Sequence, residues 1–194
     1  MTYIDIEESD ALYSFKHNLH RHLAQMLPLY AEAVILCIGT DRATGDSLGP
    51  LVGHKLKNMP FADVSVYGTL DAPVHARNLH TTLDIIAKNH PNALIIAIDA
   101  CLGRTEHIGH LTVNQGSIRP GSGVNKLLPA VGDISITGIV NLCTSDNSSN
   151  LQSTRLSLVM RMADIVSAGL WAVFGNLKDV CFEDYSVVNL KNTV

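Results

Sequence analysis

Two short runs, "AVILCIG" at residues 33–39 and "NALIIAIDA" at residues 92–100, constrain the fold more than any other part of the sequence. Both are too short for membrane spans and almost free of polar side chains, and the second is closed by an acid. A strand with one face in water alternates apolar and polar residues; a strand without that alternation must be covered on both faces. Parallel neighbours also need long crossovers, normally helices. Patterns at 48–58 and 75–88 supply them, with "DVSVYGT" at 63–69 as the strand between. "HLTVNQG" and "ISITGIVN" read as two further strands on either side of the Gly/Pro/Ser-rich loop "SIRPGSG". The expected fold is α/β, a three-layer α/β/α sandwich with a mostly parallel sheet.

Flanking segments complete one domain over residues 1–194. An amphipathic helix is expected at about 9–28, with Leu19, Leu23, Met26 and Leu27 inward and His17, His20 and His22 on a solvated surface. "SDNSSNLQSTRLSLVMRMADIVSAG", residues 145–169, begins with capping residues and places Leu151, Leu158, Met162 and Ile165 at helical spacing, so one long helix ending at Gly169 is expected. "LWAVFGNLKDVCF" after it fits helix or strand. Hydrophobic residues make up 46% of the 194, enough for one continuous core. A net charge of −4 without a Lys/Arg run argues against a nucleic-acid partner. The acidic N-terminus lacks a secretory signal's basic start and apolar centre, and the four cysteines form no C-x-x-C pair; a cytoplasmic protein off the membrane is expected. Nothing in the sequence fixes oligomeric state, so a homo-oligomer stays open.

Function is expected at the carboxyl ends of the strands, where loops lead into helices. "CIGTDRATGDSLGP", residues 37–50, lies there. Its glycines fit neither G-x-G-x-x-G nor G-x-x-x-x-G-K-[ST], and Asp46 stands where a phosphate loop would carry lysine. The loop therefore carries an acid. Asp46 and Ser47 could simply cap the following helix, with Pro50 tolerated in its first turn. Asp99 weakens that reading, because it ends an apolar strand and enters the same crevice if the two strands are neighbours. Two such carboxylates cannot both ionise cheaply. They could divide the work of hydrolysis, one drawing a proton from water and the other protonating the amide. Alternatively, both could hold a divalent metal, although two carboxylates alone make a poor zinc site.

The segments "CIGTDRATGDSLGPLVG", "GTLDAPVHARNL", "IIAIDACLG" and "VGDISITGIVN" resemble the YyaC-type sporulation proteins of spore-forming bacteria over most of the chain. More distantly they are similar to the germination protease of spores and to the hydrogenase maturation endopeptidases. The resemblance implies the three-layer fold of those peptidases and an endopeptidase in the cytoplasm of a sporulating cell or forespore. Its substrate would be a peptide or protein, and its catalytic pair Asp46 and Asp99. The hydrogenase-type enzymes add a histidine before a Thr-Gly pair, where this chain has Ser135 in "ISITG". That departure favours an aspartate-only site without a cofactor. Asp41, Arg42, His75 and Ser135 are the candidate substrate-binding residues. Asp71 reads as a turn or cap residue, and Asp133 as a turn terminus. Cys101 offers a rival thiol nucleophile activated by His75. A binding or scaffold protein with this fold and no turnover is the alternative from another class.

Overall fold

The computed structural model describes residues 2–121 and 128–175. Six strands form one sheet in the order β1-β5-β6-β4-β2-β3. The two apolar runs become the centre of the sheet: β2 (Glu32–Cys37) and β4 (Ala93–Gly103) pair in parallel from Glu32–Ala93 to Cys37–Ile98. β3 (Val64–Tyr67) continues the parallel array outside β2, and β6 (Ile134–Leu142) outside β4. β5 (His110–Gln115) runs antiparallel to β6, and β1 (Tyr3–Asp5) antiparallel to β5. Three of the five strand pairings are thus parallel, as expected of a mostly parallel sheet.

Alternate residues of β2 feed two cores, which is why its sequence shows no polar face. Ala33, Ile35 and Cys37 join the cluster that holds α1 (Ala11–Met26), α2 (Leu48–Leu56) and α5 (Leu156–Phe174). Val34, Leu36 and Ile38 join the opposite cluster under α3 (Leu79–Asn89), with Leu79 and Ile86. α2 and α3 are the crossovers that parallel pairing requires.

The structure differs from the expectation in three places. β1 is additional; its short run pairs only at the sheet edge. The single helix expected over 145–169 is two, α4 (Asn147–Ser153) and α5. Thr154 and Arg155 are extended, with ψ of 138° and 125°, and the Thr154 hydroxyl donates to the Asn150 carbonyl at 2.8 Å, replacing the helical bond. Asp146 caps α4 through the Ser149 N–H. Nor does Gly169 end the helix, which runs on through Phe174; of "LWAVFGNLKDVCF", the residues after 175 lie outside those described, as do residues 122 and 123 of "SIRPGSG". Gly169 is instead a contact point, since a Cβ there would stand 2.3 Å from Cδ1 of Phe15.

α5 is long and apolar enough to cross a membrane by length and composition. Its buried side chains, among them Val159, Met162, Val166 and Leu170, fill the core beside α1 and α2, and Lys55 reaches Asp164 on its outer side at 2.8 Å. One face of α5 is thus core and the other, with Leu156, Arg161 and Asp164, is exposed. The expected N-terminal helix over 9–28 is found as α1 followed by a short 3-10 turn, Leu27–Leu29, with His17 and His20 exposed.

The Gly169–Phe15 contact sets two effects against each other. Ala gains about 1 kcal/mol over Gly in a helix interior, whereas forcing a methyl into a packed core costs about 1–3 kcal/mol. Gly169→Ala is expected to lower the urea midpoint, and to lower it less when Phe15 is already Leu. A raised midpoint in the single variant would show that the contact does not constrain packing.

Candidate active site

The loop after β2 is shaped by close approaches of the chain to itself. Ile38 extends the ladder by donating to the Ile98 carbonyl at 2.7 Å. Gly39 then turns at φ +136°, and the Thr40 N–H donates to the Asp46 carbonyl at 2.9 Å, folding the loop back on the strand end. A Cβ on Gly39 would lie 2.0 Å from that carbonyl oxygen, and one on Gly49, in the first turn of α2, 2.1 Å from the Ile38 carbonyl. The glycine spacing that fits no phosphate motif therefore serves to seat Asp46 against β2. Nor is Asp46 a cap: α2 has no side-chain N-cap bond, and the Ser47 hydroxyl donates to the Thr44 carbonyl at 2.6 Å.

Asp99 reaches the same place from the neighbouring strand. Asp46 and Asp99 line one cavity at the sheet rim together with Gly39, His75, Cys101 and Leu151. Asp99 is 8% exposed. Burial pushes its carboxyl well above the usual range and the negative charge of Asp46 pushes it further; the Ala100 N–H, donating to Oδ1 at 2.9 Å, opposes both. Burial likewise raises Asp46, to about 6, against the Thr40 N–H, which favours the charged form. Both carboxyls are thus shifted toward their protonated forms, Asp99 by its deeper burial and by the neighbouring Asp46 charge, and the two titrate as a coupled pair.

The remaining candidates divide. His75 lines the cavity, with its backbone N–H bonded to Asn78 Oδ1 at 2.8 Å and its Nδ1 facing the Arg77 N–H at 3.4 Å. Cys101 lines it too, but burial raises the thiol to about 11, with the Thr137 hydroxyl opposing and Asp99 adding to the rise. A thiol held protonated is a poor nucleophile. Ser135 lies outside the cavity: it is buried one step back along β6, opposite Ala97, with its hydroxyl toward the Asn114 carbonyl at 3.4 Å. Asp41 and Arg42 are exposed on the outer loop, away from the cavity lining. Asp71 faces solvent, where Lys57 holds its carboxyl below the usual range, and Asp133 accepts the Ile95 N–H at 2.9 Å, tying β4 to the start of β6.

Leu151 was not expected at the site. It arrives because the helix breaks at Thr154 and frees α4 to lie over the Asp46 loop; the Asn/Ser-rich run before it was the only sequence sign of a weak helix. Among the described residues no group of three or more His, Cys, Asp or Glu side chains is placed to hold a metal ion.

Comparison with known proteins shows a family, a relative and a solved structure to which this chain is similar. The family model described as "Protein of unknown function (DUF1256)" matches residues 3–169. "Uncharacterized protein YyaC" of Bacillus subtilis (strain 168) is 53% identical over 137 residues, which span 71% of this chain and 67% of that protein. Among solved structures, the NiFe hydrogenase maturation protease HycI from Thermococcus kodakarensis KOD1 aligns over 76% of this chain and 97% of its own, with 17% identity and a TM-score of 0.44.

Both carboxyls are raised in the folded protein, so the native state binds more protons than the unfolded chain above about pH 4. Stability is then greatest below that pH as far as this pair is concerned. It falls as pH rises through about 6, where Asp46 ionises, and falls further where Asp99 does. Asp99→Asn removes the carboxyl that burial forces to hold its proton furthest above the usual range. It is expected to raise Tm at pH 8 by several degrees, at roughly 2–4 °C per kcal/mol for a domain of this size, and to flatten the decline between pH 5 and 8. A lower Tm at pH 8, measured by scanning calorimetry, would contradict the assignment.

Proposed function

The chain belongs to the DUF1256 family, and for this member we propose peptide-bond hydrolysis by Asp46 and Asp99, acting as an endopeptidase on a protein or peptide substrate in the cytoplasm of a spore-forming cell. The observation that carries this reading is the pair itself: one carboxyl from the loop after β2 and one from β4 lining one cavity, both raised by burial and Asp99 further by the charge of Asp46. Pairs of titratable groups separated in this way are how proteins hold an acid and a base side by side at one pH.

In the proposed cycle the Asp46 carboxylate takes a proton from a water molecule as its oxygen attacks the carbonyl carbon of the scissile peptide. The protonated Asp99 first hydrogen-bonds the substrate and then gives its proton to the departing nitrogen as the C–N bond breaks. The proton on Asp46 afterwards replaces the one Asp99 has given up, so the dyad ends as it began. Both steps are general acid–base catalysis, each contributing about 10²–10⁴-fold. No metal enters the scheme. A thiol mechanism is disfavoured by the same burial that suits the acids, since Cys101 is held protonated up to about pH 11.

One observation favours the second reading, a scaffold without turnover. Ser135, which the resemblance aligns with the histidine of the hydrogenase-type enzymes, is turned into the sheet and contributes nothing to the cavity.

Incubation of the purified protein with a proteome-derived peptide mixture, with new termini read by mass spectrometry, separates the two. Asp46→Asn and Asp99→Asn should each reduce cleavage by at least 10²-fold, whereas Cys101→Ala should leave it within a few-fold. Activity should rise as pH passes about 6, where Asp46 ionises, and fall at the higher pH where Asp99 loses its proton. Cleavage that survives both Asp substitutions would end the dyad proposal, and no product at any pH would favour the scaffold.

A further inference from the structure

A second hollow opens beside the first, and the two share Cys101 and Leu102. Strand register makes them neighbours. Asp99 on β4 stands opposite Thr137 on β6, Thr137 opposite Thr112 on β5, and Thr112 opposite Tyr3 on β1. Paired residues project to the same face of a sheet, so one row of side chains leads from the dyad to the sheet edge, and the second hollow lies along it.

Its chemistry is the opposite of the first. The floor holds the Thr112 and Thr137 hydroxyls, 2.8 Å apart; two hydroxyls so paired keep one hydrogen beyond their mutual bond. The wall is the Tyr3 ring stacked on His107, with centroids 3.9 Å apart and planes 7° from parallel. Arg104 stands at the rim. Its side chain is 82% exposed and lies 3.9 Å from Glu106, a pairing worth little at that exposure, so the guanidinium is open to a ligand. No Asp or Glu lines this hollow, whereas two line the first.

We propose that the second hollow is a subsite for one carboxylate of the peptide substrate, an acidic side chain or the chain's own C-terminus, received by Arg104 and the Thr112–Thr137 hydroxyls. The proposal rests on the hydrolase reading for its peptide but not for its ligand chemistry. One guanidinium with hydroxyl donors matches a single negative charge, and Arg–carboxylate geometry is bidentate. The anionic Asp46 repels a carboxylate from the dyad, so the two hollows together favour one register of the substrate over its neighbours. Strands lie about 4.8 Å apart, which puts Thr137 about 5 Å and Thr112 about 10 Å from Asp99, and an extended peptide advances about 3.3 Å per residue. The carboxylate therefore falls about two or three residues from the bond that is cut.

Two measurements test this, and they fail separately. In the first, amide NMR of the full chain is followed while four probes are added: N-acetyl-glutamate N-methylamide, which offers only a side-chain carboxylate; N-acetyl-leucine, which offers only a terminal one; and the N-methylamides of N-acetyl-lysine and N-acetyl-leucine as controls. At least one carboxylate probe is expected to shift Arg104, Thr112 and Thr137, and to bind at least tenfold more weakly to Arg104→Glu; which probe does so names the source. No shift from either carboxylate, or equal binding of the lysine probe, overturns the subsite. In the second, cleavage sites from the peptide mixture are aligned. Enrichment of a carboxylate two or three residues from the cut, lost in Arg104→Glu while total cleavage persists, supports the subsite, and cleavage indifferent to that variant overturns it. Should the wild-type chain cut nothing while the carboxylate probes still bind, the hydrolase reading falls and the binding site stands.

Discussion

Parallel pairing of β2 with β4 ends at Cys37–Ile98 and so brings Asp99 of β4 beside the carboxyl end of β2, and the chemistry proposed for this chain depends on that juxtaposition. Asp99 is placed by it directly. Asp46 is placed by the loop that folds back over Gly39. The position just before α2 invites a competing effect, because a helix N-terminus favours an anion, by about 0.3–1 kcal/mol at exposed sites and up to about 2 where partly buried. Burial wins: it raises Asp46 to about 6. The loop thus resembles an anion site in its position and opposes one in its energetics.

The sheet has two unlike halves on the face that carries α3. Under α3 the face is apolar, with Val34, Leu36 and Ala97. Beyond β4 the same face turns to hydroxyls and amides: Ser135, Thr137, Thr112 and Asn114. The opposite face of β5 and β6 remains fully apolar, with Leu111, Val113, Ile134 and Ile136 in the core beneath α1, α2 and α5. The dyad sits at the seam. A carboxylate there meets a dry surface on one side and hydrogen-bonding groups on the other, which is the setting in which one member of a pair keeps its proton and the other gives it up.

Much of this was legible in the sequence for physical reasons. Strands covered on both faces cannot hide their continuous apolar character, so β2 and β4 were evident, and an acid in so apolar a run has few places to go but a crevice; Asp99 does not end its strand, however, since β4 continues to Gly103. Alternation in "HLTVNQ" and "ISITG" is the trace of the polar half-face. What could not be read was set by contacts distant in sequence. Gly169 resembles a helix terminus locally, and only the Phe15 ring shows why a side chain is missing there. Thr154 and Arg155 are extended between α4 and α5, and the Thr154 hydroxyl is met there by the Asn141 side chain of β6, a contact that no local pattern records. Ser135 was expected to face the substrate, yet its hydroxyl turns to the Asn114 carbonyl, and no motif records where a side chain points.

α1 lends the core Phe15, Leu19 and Leu23, all within 3% of complete burial, while β1 adds Ile4 and closes the sheet edge. Losing even one large core side chain typically costs about 2–5 kcal/mol, on the scale of a domain's entire stability. Many proteases are held dormant by a propeptide that is clipped away to release them. Here residues of β1 and α1 belong to the core itself, so removing them would take packing from beneath the sheet. A zymogen built on this chain would need its latch at the mouth of the cavity, where Leu151 of α4 and the described residues Pro120 and Leu128 stand.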